Sequence, residues 1–250
     1  MSEHVIVTDA AGIRTIRINR PDKKNALTVA MYEAMIKALD GANADDAVRC
    51  VLIAGVPGAF TAGNDLADFL AAATGDGGLN RAALRFLPAL VNCRKPMVAA
   101  VSGVAVGIGT TMLLHCDFVV AGTDAIFSTP FVGLGLIPEA GSTLVAPRLM
   151  GGRRAFEFLV MGHPLNATRA KDLGIANLVV DPQDVDAEAL KAAHEIAALP
   201  PGAVAAARAL MRGAPEELQA QIDRESRIFS ERLRSPEAKA AFEAFFARKR

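Results

Sequence analysis

An uninterrupted stretch without charge, residues 97–114, limits what this chain can fold into more than any other feature. Its eighteen residues have the length of a membrane span. However, the stretch contains four Gly or Ser and two Thr, and Pro96 and Asp117 bracket it closely. A buried strand, a glycine turn and a buried helix explain this pattern better than a span does. We therefore expect an α/β protein that does not enter a membrane.

Composition narrows the class of protein further. Lys plus Arg and Asp plus Glu both number 27, and this zero net charge argues against nucleic acid as the main ligand. Hydrophobic residues make up 52% of the chain, which fits a well-buried α/β core. The three cysteines, Cys50, Cys93 and Cys116, are unclustered and predict buried thiols in a reducing cytoplasm. Ligand spacing for a metal is missing, and the N-terminal segment does not resemble a signal peptide.

Local patterns predict strand–strand–helix units through about residue 185. The segments "HVIVTD" and "IRTIRIN" predict an antiparallel hairpin, and Thr28 is placed to cap a helix that reaches about Gly41. Gly174 is expected to turn a short helix into a strand. Further strands are predicted at residues 49–55, 95–103, 118–122 and 125–130, further helices at residues 79–93 and 109–117, and one or two helices at residues 142–162.

At about residue 186 the sequence pattern changes from alternating strands and helices to helices alone. Four helical segments, separated by Gly and Pro, begin at "DAEALKAAHEIAAL" and end at "PEAKAAFEAFFARK". Their apolar faces must pack on their own core or on a neighbouring subunit. We therefore divide the chain into a core with the site, residues 1–185, and a helical region for oligomerisation and pocket closure, residues 186–250.

Two glycine-containing turns follow apolar runs, "GAFTAGNDL" at residues 58–66 and "VSGVAVGIG" at residues 101–109. The second lacks the Gly-Lys-Ser/Thr ending of a phosphate loop, and its glycine spacing misses the dinucleotide fingerprint. Backbone N–H groups at two such turns could instead hold a carbonyl oxygen as an oxyanion hole. Tight packing turns without a catalytic role are the alternative.

Four motifs in order along the chain give a family resemblance: "NRPDKKNAL", "AFTAGNDLADF", "VSGVAVGIGTTMLLHCD" and "GLIPEAGST". Together they resemble the crotonase, or enoyl-CoA hydratase/isomerase, superfamily over nearly the whole chain. The resemblance implies a spiral of ββα units with a C-terminal helical region that builds trimers, often paired into hexamers. It also implies an acyl-CoA thioester as substrate, with no separate cofactor.

The resemblance further implies positions for the site. The two oxyanion donors would be the N–H groups of Asn64 and Ile108. Lys24 and the basic residues 248–250 are candidate contacts of the CoA phosphates. The residues implied to line the CoA and substrate path are Lys24, Asn25, Ala26, Ala62, Asp65, Leu66 and Gly107.

The acid and base residues distinguish the reactions of this superfamily. Where hydratases carry their two catalytic glutamates, this chain has Thr111 and Phe131, so we expect both to be pocket wall. Hydration needs one group to activate water and another to protonate the α-carbon. Instead, Glu139 in "PEAG" matches the single glutamate of Δ3,Δ2-enoyl-CoA isomerases, and an apolar pocket should raise its pKa.

We therefore expect an enzyme that moves a 3-enoyl-CoA double bond to the 2-trans position, with Glu139 as base. Hydration or thioester hydrolysis, with Glu139 positioning a water, is the first alternative. A catalytically silent CoA-binding protein is the second. Glu139 could also serve only as a carboxylate that satisfies the N–H groups of the helix starting near Ser142.

Other polar residues have weaker claims to a role. We expect His115 to be a hydrogen-bonded core residue and His163 and His194 to lie on the surface. Asp117 should anchor the start of a strand. Asp68 follows the first glycine turn and could reach the pocket as a second acid.

Overall fold

A computed structural model describes residues 2–65 and 78–247, without the side chains of residues 78–80 and 246. The strands are β1 Val5–Ala10, β2 Ile13–Ile18, β3 Cys50–Ala54, β4 Ala59–Thr61, β5 Met97–Val101, β6 Val104–Val106, β7 Phe118–Gly122, β8 Ile126–Ser128, β9 Leu165–Asn166 and β10 Leu178–Val180. The helices are α1 Val29–Ala44, α2 Gly78–Val91, α3 Ile108–Thr111, α4 Ser142–Met150, α5 Gly152–Leu159, α6 Ala167–Asp172, α7 Val185–Ala198, α8 Pro201–Arg212, α9 Pro215–Leu233 and α10 Pro236–Ala247.

The strands form two sheets, and each repeating unit contributes strands to both. The larger has six strands in the order β1-β2-β3-β5-β7-β10, and the smaller has four in the order β4-β6-β8-β9. Apart from the antiparallel pairs β1–β2 and β8–β9, neighbouring strands are parallel. Each of the pairs β3/β4, β5/β6 and β7/β8 gives one strand to each sheet. This alternation is the crotonase-type spiral expected from the sequence.

The hairpin and the first helix confirm two local predictions. β1 and β2 pair in register from Val5 opposite Ile18, around a turn in which Ala11 has a φ of 49°. Thr28 caps α1 by accepting a hydrogen bond from the N–H of Met31 at 3.4 Å. The helix continues beyond the expected end at Gly41 to Ala44, because glycine lowers helix stability without forcing an end.

The structure divides two of the predicted helical segments. The segment predicted as one helix over residues 109–117 is the single turn α3 followed by a 3₁₀ turn, Met112–His115. Residues 142–162 form two helices, because Gly151 has a φ of 82°, which ends α4 and starts α5.

The core lies on both faces of the larger sheet. One face packs against α1 and α2, and the other against α7, whose Val185, Ala189 and Ala193 are buried on Ile13, Leu52 and Val98 of the strands. The first helix after residue 185 therefore completes the core. The proposed division of the chain at that residue stays a prediction.

The three cysteines and the apolar stretch at residues 97–114 both contribute to the interior of the protein. Cys50 and Cys93 are buried and Cys116 is half-buried, and all three are free thiols whose pKa is raised by burial. The apolar stretch at residues 97–114 is divided among β5, β6 and α3. Within residues 2–65 and 78–247, no helix combines the length and hydropathy needed to cross a bilayer.

Candidate active site

Two neighbouring strands of the smaller sheet bring the glycine turns together. β4 and β6 are parallel, with Thr61 paired to Ala105, so both strands end at the same edge. Asn64 follows the first strand by three residues, and Ile108 follows the second by two. The two backbone positions that the sequence singled out therefore belong to adjacent turns.

Glycine is required where these turns touch. Gly63 has a φ of 82°, and a Cβ atom there would lie 2.7 Å from the carbonyl oxygen of Val106. A Cβ atom on Gly109 would lie 2.5 Å from Cγ2 of Thr61. Real Cβ atoms do not approach other atoms so closely, so larger residues would push the two turns apart.

The N–H group of Asn64 points away from its neighbouring segment. Leu27 donates to the carbonyl of Gly63 at 2.8 Å and accepts from the N–H of Asp65 at 2.9 Å, forming a parallel bridge that spans Asn64. In such a bridge the N–H of the spanned residue faces the opposite side. No acceptor for it is found in the described part of the chain.

The N–H group of Ile108 is available for a different reason. Ile108 is the first residue of α3, and the first N–H groups of a helix have no acceptor within that helix. Across residues 2–65 and 78–247, nothing else accepts a hydrogen bond from it. Gly107 precedes it with a φ of 57° and a ψ of −119°, a conformation suited to glycine, which sets the direction of this N–H group.

Glu139 is half-buried, and its carboxyl group has one close hydrogen-bond partner. The hydroxyl of Thr111 donates to its Oε1 atom at 2.5 Å. Burial raises the pKa of Glu139 to about 8, the Thr111 hydrogen bond opposes that rise, and the charge of Glu225 adds to it. Near neutral pH this carboxyl group is close to its midpoint and can both accept and release a proton.

The alternative role of Glu139 as a helix cap is wrong, because another carboxylate fills that position. Glu225 on α9 accepts hydrogen bonds from the N–H of Gly141 at 2.6 Å and the N–H of Thr143 at 3.1 Å. Gly141 is the N-cap residue of α4 and Thr143 its second residue, while the N–H of Ser142 donates to the backbone carbonyl of Glu139 at 3.1 Å. Glu139 is thus left to bond with Thr111.

Thr111 and Phe131, at the two positions where hydratases carry glutamate, lie beside Glu139 and Gly107, respectively. Thr111 is fully buried, and its hydroxyl donates directly to the carboxyl group of Glu139. The ring of Phe131 lies beside Gly107, 3.8 Å from where a Cβ atom would project, and the residue is 7% exposed. Neither side chain can act as a base near neutral pH.

The residues expected along the CoA path form a hydrogen-bonded loop. Ala62 donates to the carbonyl of Lys24 at 2.8 Å, and Lys24 itself is exposed. Arg20 forms an ion pair with Asp65 at 2.7 Å and also donates to the carbonyl of Ala26 at 3.0 Å. The carboxylate of Asp65 therefore holds this loop in shape.

The side chain of Asn25 binds the backbone of the protein itself. It is fully buried, and its amide donates to the carbonyls of Ile18, Ala59 and Phe60 at 2.9–3.0 Å. Its side chain therefore does not face a ligand. Leu66, Asp68 and residues 248–250 lie outside the described residues.

Sequence reasoning missed Tyr32, the one tyrosine of the chain. It is fully buried, and its hydroxyl donates to Oδ1 of Asn64 at 2.5 Å, while its ring packs 5.3 Å from that of Phe86. Burial and the nearby charge of Glu139 raise its pKa well above the usual range, so it stays a neutral donor. A tyrosine within an amphipathic helix carries no sequence signal for this contact.

The remaining polar predictions concern residues away from the turns. His115 is a buried core residue whose Nε2 lies 2.7 Å from the carbonyl of Ala140, and burial lowers its pKa to about 4. Asp117 accepts from the N–H of Met97 at 2.8 Å and so anchors β5. His163 and His194 are exposed, as expected. No cluster of three metal-ligating side chains is found among the described residues.

Two N–H groups without an acceptor on adjacent turns, and a carboxyl of raised pKa bonded to Thr111 of the helix α3 that Ile108 begins, fit an enzyme that stabilises a developing oxyanion. That is the class of protein that the fold and these groups indicate. The family model for enoyl-CoA hydratase/isomerase matches residues 8–250. The chain belongs to that family, within the crotonase superfamily.

Individual relatives are named for different reactions, isomerisation and hydration among them. Enoyl-CoA delta isomerase 2 of Rattus norvegicus is 36% identical over 99% of this chain, which spans 64% of the rat protein. A Rhizobium meliloti protein named "Probable enoyl-CoA hydratase" is 32% identical over 100% of this chain and 98% of its own length. The solved structure of OdaA from Pseudomonas aeruginosa superimposes with a TM-score of 0.92 and 47% identity, covering 98% of this chain and 99% of the other.

Proposed function

We propose that this enzyme moves the double bond of a 3-enoyl-CoA to the 2-trans position, with Glu139 carrying the proton. The observation that carries the proposal is the single carboxyl group at the three catalytic positions of the superfamily. Thr111 and Phe131 occupy the other two, and Thr111 donates a hydrogen bond to Glu139. One carboxylate is sufficient for a 1,3-proton shift and insufficient for hydration by an acid and a base.

In the first step, ionised Glu139 takes a proton from C2 of the substrate. The C–H electron pair forms a double bond between C1 and C2, and the negative charge moves to the thioester oxygen. The N–H groups of Asn64 and Ile108 would stabilise this oxygen, and removing one such donor typically costs about 2.7–4 kcal/mol of transition-state stabilisation.

In the second step, protonated Glu139 returns its proton to C4. The electrons of the C3–C4 double bond form the new bond to hydrogen, and the dienolate collapses to a C2–C3 double bond and a neutral carbonyl. The Thr111 hydroxyl lies 2.5 Å from Glu139 and 3.3 Å from the carbonyl of Gly107. It can donate to the carboxylate when Glu139 is ionised and to the carbonyl when Glu139 is protonated.

Phe131 would favour isomerisation by restricting water. Its ring lies beside Gly107, next to the proposed oxyanion donors. An apolar wall at this place leaves a water without polar partners, so attack by water on the intermediate is suppressed.

We also propose how this chain binds CoA and assembles with other copies, as its family implies. CoA would bind along the loop of Lys24, Ala26 and Ala62, with no separate cofactor, in a cytoplasmic homotrimer or pair of trimers. Leu210 and Met211 on α8 are 85% and 89% exposed, which supports burial against another subunit. Sedimentation analysis should then give the mass of a trimer or hexamer; a monomer would contradict this part.

Hydration or thioester hydrolysis is the second candidate, favoured by the similarity to the Rhizobium meliloti protein. Parallel assays with 3-hexenoyl-CoA and crotonyl-CoA separate the candidates. Isomerisation predicts rapid turnover of the first substrate. Rapid turnover of crotonyl-CoA with none of 3-hexenoyl-CoA would refute it, and tight binding of both without turnover would indicate a silent CoA-binding protein.

A further inference from the structure

Glu225 is a buried carboxylate that is bound by neutral hydrogen-bond donors and, among the described residues, not by a positively charged side chain. It is 2% exposed, and it accepts hydrogen bonds from the N–H of Gly141, the N–H of Thr143 and the Thr143 hydroxyl. None of the ion pairs in the described part of the chain includes it. Burying a carboxylate without a cation is unfavourable: burial raises the pKa of Glu225, and the hydrogen bonds from these three donors oppose that rise in part.

These donors belong to the helix that follows Glu139. α4 has no side-chain cap from its own N-terminal residue, Gly141. The N-terminus of a helix carries a partial positive charge that would stabilise a nearby carboxylate as the ion. Because Glu225 neutralises that charge, α4 does not turn Glu139 into a weaker base.

The turn between Glu139 and α4 is held from two sides. Ala140 and Gly141 have φ values of 63° and 70°, and Ala rarely adopts this left-handed conformation. The imidazole of His115 bonds to the carbonyl of Ala140 at 2.7 Å, while Glu225 bonds to the N–H of Gly141 at 2.6 Å. Together they fix the backbone that carries Glu139.

We propose that Glu225 is a positioning residue, which holds the Glu139 turn in its conformation and keeps Glu139 a strong base by occupying the N-terminus of α4. This inference rests on the proposed role of Glu139. It gives α9, a helix of the C-terminal region, a role in supporting the active site.

The other titratable groups around Glu139 do not supply this effect. His115 faces the turn from the 3₁₀ segment after α3, and burial lowers its pKa to about 4, so it is neutral at pH 7. Tyr32 faces Glu139 from α1, and its raised pKa keeps it neutral as well. Glu217, also on α9, pairs with Arg148 of α4 at 2.6 Å, but both side chains are exposed.

The test is the titration of Glu139 by carbon-13 NMR with labelled glutamate, the signal being assigned by its loss in Glu139→Gln. Glu225→Gln removes the charge and one acceptor, so the Glu139 midpoint should move to lower pH. The kcat/KM plateau for 3-hexenoyl-CoA should fall by about tenfold or more, because the base is weaker and its turn is displaced. Glu217→Gln, the same change on the same helix, should leave both quantities unchanged.

An unchanged midpoint and plateau in Glu225→Gln, or equal changes in Glu217→Gln, would overturn the inference. If Glu225→Gln does not fold, Glu225→Asp replaces it: the shorter side chain cannot reach the N–H of Gly141, so a plateau equal to wild type would overturn the inference. If the wild type does not isomerise 3-enoyl-CoA, the proposed function fails, while the titration still decides the role of Glu225.

Discussion

Replacing Glu139 by Gln should stabilise the folded chain at alkaline pH. Burial raises the pKa of Glu139 from 4.5 to about 8. Between those pH values the folded chain keeps a proton that the unfolded chain has released. The free energy of unfolding therefore falls as pH rises from 4.5, and the loss is complete above pH 8. Gln is neutral at every pH and carries no such penalty.

The magnitude follows from the two pKa values. At about 1.36 kcal/mol per pKa unit, the rise from 4.5 to about 8 corresponds to about 5 kcal/mol. The amide oxygen of Gln can still accept the hydrogen bond from Thr111. The variant should therefore gain up to about 5 kcal/mol over the wild type above pH 8, relative to acidic pH.

Urea unfolding at about pH 5, 7 and 9 measures this difference. Protein concentration must be held fixed, since subunit association contributes to apparent stability. Glu217→Gln is the matched control, because that exposed carboxylate forms an ion pair and should give no alkaline gain. A Glu139→Gln stability difference that does not change with pH would refute the argument that Glu139 is desolvated in the folded chain.

Two further substitutions test the groups around Glu139 and Asn64. Tyr32→Phe removes the hydroxyl that bonds to Asn64 at 2.5 Å and keeps the ring contact. The kcat of this variant for 3-hexenoyl-CoA should fall by about tenfold, because the N–H group of Asn64 is then less precisely oriented. The Kd for acyl-CoA should not change. A kcat equal to that of the wild type would contradict this role of Tyr32. Thr111→Val removes a hydrogen bond that lowers the pKa of Glu139, so the acid limb of the kcat/KM profile should move to higher pH, and an unmoved limb would argue against that contact.

The strands and turns could be read from the sequence because their signals are local. Apolar runs such as residues 50–54 predict buried strands, and glycines such as Gly63 and Gly107 mark the turns that follow. The motif order around these turns then indicated the family. Predicted ends were less accurate where glycine was the only stop signal, as at Gly41 in α1.

The contacts that complete the site could not be predicted in this way. Glu225 is one of many charged residues in α9, so the sequence gives no sign that it is buried, and it meets Gly141 only because α9 packs on α4. Tyr32 and Asn64 are 32 residues apart and meet through the packing of α1 against the first glycine turn. Asn25 was expected to line the CoA path, whereas its side-chain amide donates to three backbone carbonyls of the protein itself. Long-range packing decides these roles, and a single sequence does not record it.

The central claim is that one carboxyl group carries a proton from C2 to C4. It is tested most directly with 3-hexenoyl-CoA that carries deuterium at C2, isomerised in ordinary water and analysed for label at C4. The account predicts that part of the deuterium appears at C4, and that Glu139→Gln, with unchanged affinity for acyl-CoA, loses about 10²–10⁴-fold in kcat. Hydrogen at C4 that comes entirely from solvent, or full activity in Glu139→Gln, would contradict it.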